Sequence, residues 1–415
     1  LETVRQYALD KLVEAEEADE ARERHAEYFR VATGSVDEGL NRRDTQWMEI
    51  ATDDLGNYRA ARTWAIEARR GEIALELASN LRTYFWNRVM YRESVRWLVG
   101  ALELVEDDDP RVPRALAFAL TDAGNCGDEA RVGVLRPRAE RLLDGSDGAA
   151  RGQLSNALAA ASMSDDVRAA DGLFREAHLA LREAGSDRWT APLQNRMLTS
   201  WLMNDATSKS EILDLVSIAE SEKLNIHGDV VRTCFQMVER DYEAVLALAE
   251  VFVPGDDWGE AMIQGFAAHC ARAVGRLDEA MDYIQRAHHV FRVAGKGSTY
   301  WELGMLLLDL GRLDDAVEEY TDVVPGRPNR VDRTFDSHFF SIVAERRGDF
   351  QTSALLTGYA FASGEAGSIR PPDLDLERIA ESQRRVETAL GPDRYAELVR
   401  QGSETPWDDL PSVGG

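Results

Sequence analysis

Few residues of this chain have the types and spacing that chemistry needs. Arg292-Val293-Ala294-Gly295-Lys296-Gly297-Ser298-Thr299 has the glycines and lysine of a phosphate-cradling loop. Val290, however, stands at the first-glycine position, Gly297 replaces the hydroxyl residue that should follow the lysine, and no strand precedes it. A loop between two helix pairs is the expected reading. Asp107-Asp108-Asp109 offers three adjacent carboxylates without the alternating spacing or turn glycine of a calcium loop, and Pro110 follows, so a solvated helix-terminating turn is expected. His288 and His289 are neighbours, about 100° apart on a helix, which is poor geometry for joint chelation. HExxH, GxSxG and paired CxxC motifs are absent. The carboxylates are too numerous for a pair to be singled out as acid and base. No catalytic, cofactor-binding or metal-ligating residue is therefore assigned, and the chain is expected not to be an enzyme.

Charge and cysteine usage narrow the partners. Lys and Arg total 48 against 74 Asp and Glu, a net charge of −26 that repels a polyphosphate backbone, so nucleic acid is not an expected partner of this segment. Cys126, Cys234 and Cys270 are an odd set without pairing or metal spacing, and a reducing cytoplasm is the simplest inference. The apolar runs, such as Met305-Leu306-Leu307-Leu308, are far too short for a bilayer span. The chain starts at Leu1 inside a helical pattern, and a piece of a longer protein is expected.

The elements that must position any site repeat. Gly275-Arg276-Leu277-Asp278-Glu279-Ala280 recurs as Gly311-Arg312-Leu313-Asp314-Asp315-Ala316, 36 residues on, between stretches of helical period. The glycines can take the positive φ that closes one helix, and Asp278 and Asp314 place a carboxylate in the first turn of the next. Leu277, Ala280, Ile284 and Ala287 form one apolar stripe, and Leu313, Ala316, Tyr320 and Val323 form its copy. A weaker copy begins at Gly348-Asp349-Phe350, 37 residues after Gly311. Further second helices are expected near Gly127, Asp165, Lys209 and Asp241, with Pro254-Gly255-Asp256-Asp257 as the strongest break. An all-α chain of stacked antiparallel helix pairs follows, and at 415 residues an extended stack is favoured over a single core.

Gly304, Gly311, Ala316, Tyr320 and Pro328 sit where the tetratricopeptide pattern has its small, glycine, alanine, aromatic and proline positions. The copies thus resemble that family, with slightly longer units than its ~34 residues. The resemblance implies a right-handed superhelix whose first helices line the concave side. Equivalent concave positions would then be His269, Arg272, Trp301, Met305, His338 and Glu345. They are read first as contacts between repeats and second as a groove for a peptide or small effector.

A second resemblance lies near the start. Leu1–Ala8, His25–Phe29 and Asn57–Ala61 are similar, in order and separation, to the phrases that join the winged helix to the superhelix in bacterial STAND-class signalling ATPases of the LuxR-type, SARP-type and cyclase-linked kinds. Leu390-Gly391-Pro392-Asp393-Arg394-Tyr395 resembles the closing phrase of their sensor domains. The resemblance implies junction helices over 1–51, a superhelix over 52–390 and a cap and tail over 391–415. It implies a sensor that binds an inducer or a protein partner and restrains an upstream ATPase domain, in transcriptional regulation. A freestanding scaffold or adaptor is the alternative. Tyr84, Phe85, Trp86, Tyr91 and Trp97 are expected to pack the first superhelical turns, with a docking surface for the ATPase or a ligand as the second reading.

Overall fold

A computed structural model describes residues 7, 11–12, 14–42, 44, 46–146, 148–163, 165–251, 257–294, 300–321 and 330–411. The Leu1–Ala8 phrase apart from Tyr7, Gly295–Thr299 of the phosphate-loop candidate, Val323, Pro328, most of the 254–257 break and Ser412–Gly415 lie outside them. Among the described residues every regular element is a helix and there is no strand. The first six are α1 (Ala18–Asn41), α2 (Gln46–Asp53), α3 (Leu55–Glu67), α4 (Gly71–Asn80), α5 (Arg82–Asn87) and α6 (Tyr91–Leu102). Then come α7 (Val112–Asn125), α8 (Glu129–Leu143), α9 (Gly148–Ser162), α10 (Val167–Glu183), α11 (Thr190–Met203), α12 (Lys209–Ser221), α13 (Gly228–Val238) and α14 (Tyr242–Val251). The last eight are α15 (Asp257–Ala273), α16 (Leu277–Ala294), α17 (Tyr300–Asp309), α18 (Leu313–Thr321), α19 (Arg330–Arg346), α20 (Phe350–Gly367), α21 (Asp373–Leu390) and α22 (Pro392–Glu404).

Local sequence explains the punctuation. At the end of α15 the Gly275 amide donates to the Arg272 carbonyl at 3.1 Å and the Arg276 amide to the Ala271 carbonyl at 2.8 Å. The same pair of bonds closes α17, from Gly311 to Leu308 (3.2 Å) and from Arg312 to Leu307 (2.9 Å). Both glycines sit at positive φ, 81° and 73°, where a Cβ is strained. The next helix then starts with carboxylates in its first turn. The helices expected near Gly127, Asp165, Lys209 and Asp241 begin at Glu129, Val167, Lys209 and Tyr242.

Tertiary packing follows a simple order. From α7 to α21 each odd-numbered helix packs on the next odd-numbered one, α7 on α9, α9 on α11, and so on, while consecutive helices pack on each other through most of the chain. The seams are filled by small residues: Ala280 and Ala316 are fully buried, which lets neighbouring backbones approach. The early aromatics fill the core of the first helices, with Tyr84, Phe85, Tyr91 and Trp97 all buried and Phe85 edge-on to Trp97 at 5.2 Å. Each such side chain contributes about 1.5–3 kcal/mol relative to exposure.

Contacts far apart in sequence also join distant helices of the row. α5 packs on α15, where Trp86 and Trp258 lie 6.2 Å apart. Asn225 donates its amide to the Asn41 carbonyl at 2.7 Å, and Arg370 donates to the Leu202 carbonyl at 2.9 Å. Arg330 reaches the Asp165 carbonyl at 2.9 Å. No described helix is long and apolar enough to cross a membrane.

Candidate functional site

The odd-numbered helices from α7 to α19, with α5, contribute most of the wall of a cavity of about 910 Å³. That volume lies within the range of small-molecule sites. Its wall mixes aromatic rings with neutral amides. Trp201 and Phe335 are nearly parallel, 11° between planes and 6.4 Å between centroids. Trp301 meets Phe335 edge-on at 4.9 Å, and His227 lies 4.9 Å from Trp258. Asn156 accepts from Asn195 at 3.0 Å across the α9–α11 interface.

One end of the wall is backed by a buried charge cluster linking α15, α17 and α21. Arg272 donates through Nε to Glu302 at 2.5 Å and through Nη2 to the other Glu302 oxygen at 3.2 Å, and its Nη1 lies 2.8 Å from Asp375 and 3.4 Å from Asp309. His269 holds Glu302 through Nδ1 at 3.0 Å, and the Trp301 indole donates to Asp375 at 2.8 Å. Arg378 pairs with Asp309 and donates to the Met305 carbonyl at 3.1 Å. Burial pushes the Glu302 carboxyl upward, but the charges of Arg272 and His269 outweigh it and hold it down, at about 2. Burial likewise opposes the charge on Arg272, and Asp375 and Glu302 more than offset it. Because Glu302 stays ionised, Nδ1 of His269 is the donor in that bond.

Could this cluster hold a metal? Donor atoms of His269, Glu302 and Asp375 lie within 4.8 Å of one another, which is close enough. Both carboxylates, however, already face the Arg272 guanidinium, whose charge a dication would have to displace. The arrangement is that of an ion-pair network tying three helices together.

The residues singled out in the sequence fall in different places. His269 and Trp301 stand on the cavity wall, and Arg272 lies behind them with 5% of its surface exposed. Met305 is fully buried. His338 is buried as well, and burial pulls it down to about 4, so it is neutral at pH 7. Glu345 is buried against Ser382 (3.3 Å) and Arg385 (2.7 Å) of α21. Of the early aromatics, Trp86 is the one on the cavity wall. Asp107 and Asp109 are engaged by different arginines, Arg138 at 2.6 Å and Arg111 at 2.7 Å. His288 is half-buried.

Inspection of the sequence did not single out Glu302, Asp375, Asp37, Arg82, Arg188, Phe118, Trp201 or Phe335. Glu302 lies 33 residues after His269, close to one repeat length, and that spacing is a usable signal. Asp375, 103 residues beyond Arg272, carries none.

No protein-family model matches the chain. Among curated proteins the chain is 29% identical over 204 residues to one protein of Mycobacterium bovis and to proteins of two strains of Mycobacterium tuberculosis, each named "Putative HTH-type transcriptional regulator". The aligned stretch covers 46% of this chain and 22% of each relative, so the chain spans about a fifth of the length of the relatives it matches.

Proposed function

We propose that this chain is the sensor and protein-interaction region of a STAND-class signalling ATPase acting in bacterial transcriptional regulation. In this reading the odd-numbered row from α7 to α21 is the concave side of a tetratricopeptide-like, right-handed superhelix. The early helices join it to an upstream ATPase domain in cis. The region is non-catalytic, works in the cytoplasm, and touches neither nucleic acid nor membrane. It binds an inducer or a peptide and restrains the ATPase until then. Such a switch requires the inducer to favour the released state over the restrained one; equal affinity for both shifts nothing.

The observation that carries this reading is the cavity of about 910 Å³ walled by the row, in a chain similar to proteins named as transcriptional regulators. The reading frame that contains the segment tests it: a GxxxxGK[ST] loop and a winged helix upstream are expected. In that full-length protein, deleting residues 52–390 should raise basal ATP turnover and reporter transcription, while the isolated chain turns over no ATP. A frame without the ATPase would leave a freestanding scaffold instead.

A further inference from the structure

The last four helices form a unit that is joined to the rest of the chain in two different ways. α19, α20, α21 and α22 pack on one another, and among the described helices outside the unit α17 is the one on which they chiefly pack. Side chains reinforce that joint: Arg346 donates to the Leu308 carbonyl at 2.8 Å, and Asp375 takes the Arg272 guanidinium in the charge cluster. Elsewhere the unit meets α11 and its neighbours through a polar seam. Arg330 donates to the Asp165 carbonyl at 2.9 Å, and the Arg370 amide to the Leu202 carbonyl at 2.9 Å. Asn204 donates to one Asp373 oxygen at 2.9 Å, and Arg240 to the other through Nε at 3.2 Å and Nη2 at 2.5 Å.

The seam borders the cavity, because Asp165, Leu202 and Pro372 all stand on its wall. It is also the weaker of the two connections. The Arg240 side chain is 55% exposed, and ion pairs in contact with water hold little. Between Trp201, Tyr242, His269 and Pro372 the seam leaves a void of about 10 Å³, room for a single water. By contrast, the cavity wall is helix on helix where α5 packs on α15. A connection made of a few polar bonds opens before one made of packed helices.

We infer that α19–α22 is a gate on the cavity, hinged where it packs on α17 and latched to α11 and its neighbours at Asp373, and that release of the latch admits the ligand. The inference rests on the sensor reading above and adds how its site is entered. Trp201 of α11 and Phe335 of α19 face each other across the seam, both on the cavity wall. A ligand that touches both rings favours the closed arrangement over the open one, which turns occupancy into a position of the last four helices.

Cys126 reports on the gate. It lines the cavity, and the carboxyl of Glu129, three residues on, is raised by burial and by the charges of Asp165 and Asp332, which places the α7–α8 turn beside the seam. The test follows iodoacetamide alkylation of Cys126 in the full chain by mass spectrometry. Asp373→Ala, which removes the acceptor of Asn204 and Arg240, should speed it about tenfold or more. Arg394→Gln, on an exposed pair with Glu397, should leave it unchanged. The pair Asn204→Cys, Asp373→Cys should label Cys126 fast, and more slowly than the unmodified chain once a short bis-maleimide joins the two new thiols. Cys234, fully buried on α13, should keep its slow rate throughout. Equal Cys126 rates in the unmodified chain and the release variants overturn the inference, as does fast labelling after cross-linking. So does a Cys234 rate that rises by the same factor, which would mean general loosening. If Asp373→Ala fails to fold by circular dichroism, Arg240→Gln at the exposed end of the latch decides. Unchanged rates would remove the gate and leave the sensor reading in place, whereas a parent frame lacking the ATPase would remove only the signalling context.

Discussion

Arg272 on α15 and Asp375 on α21 approach to 2.8 Å, the arginine 5% exposed and the aspartate fully buried, across 103 residues of chain. The same guanidinium holds Glu302 on α17, so one cation fastens three helices of the odd-numbered row. Ionic groups so buried are tolerable only when every partner is present. Arg272→Met should therefore destabilise the chain by about 3–5 kcal/mol in urea unfolding, because two carboxylates lose their cation in a dry site. The triple change Arg272→Met, Glu302→Gln, Asp375→Asn should recover much of that loss. A single variant as stable as the parent would show that the cluster contributes nothing.

Gly304 and Ala316 report on close approach at the clear repeats. A Cβ at Gly304 would lie 2.7 Å from the Tyr320 ring and 2.8 Å from Phe339, two rings stacked 3.9 Å apart. Gly304→Ala, like Ala280→Leu and Ala316→Leu, should cost ~1–3 kcal/mol by overpacking, read as a lower melting midpoint. At Gly172 on α10 a Cβ would meet no atom within 4 Å, and the backbone has an ordinary helical φ. Gly172→Ala should instead stabilise by about 0.4–1 kcal/mol.

Two groups set the acid side of the stability profile. His338, pulled from 6.5 to about 4 by burial, is protonated in the unfolded chain before it is protonated in the folded one. Its contribution is complete above pH 6.5 and is lost as pH falls toward 4, up to about 3 kcal/mol. Glu302, held near 2 against an ordinary 4.5, adds a second loss as pH falls through that lower window. Urea unfolding between pH 7 and 4 should show a shallower slope for His338→Gln, and unchanged slopes would contradict its neutral burial.

The three thiols should react in a characteristic order. Cys126, Cys234 and Cys270 are all buried and free, and burial raises each above the ordinary thiol range, so little thiolate forms at pH 8. Ellman's reagent should label none rapidly in the native chain and all three in denaturant. Cys126, which alone of the three lines the cavity, should be the first modified.

What could be read in the sequence was local. The helix ends at Gly275 and Gly311 depend on bonds spanning three and five residues, and the apolar stripe with Ala280 and Ala316 depends on helical period, so both were legible in one dimension. His269 and Trp301 could be picked as wall positions because the repeat carries a direction with it. The pairings of Arg272 with Asp375 and of Arg188 with Asp37, 103 and 151 residues apart, could not. They arise where helices far apart in the chain pack against one another, and no local spacing records which ones meet. The sequence by itself therefore determined the helices, their closures and their buried faces. Only the tertiary structure decided which of its many charges face one another, because electrostatic partnership depends on distance in space and leaves no periodic trace along the chain.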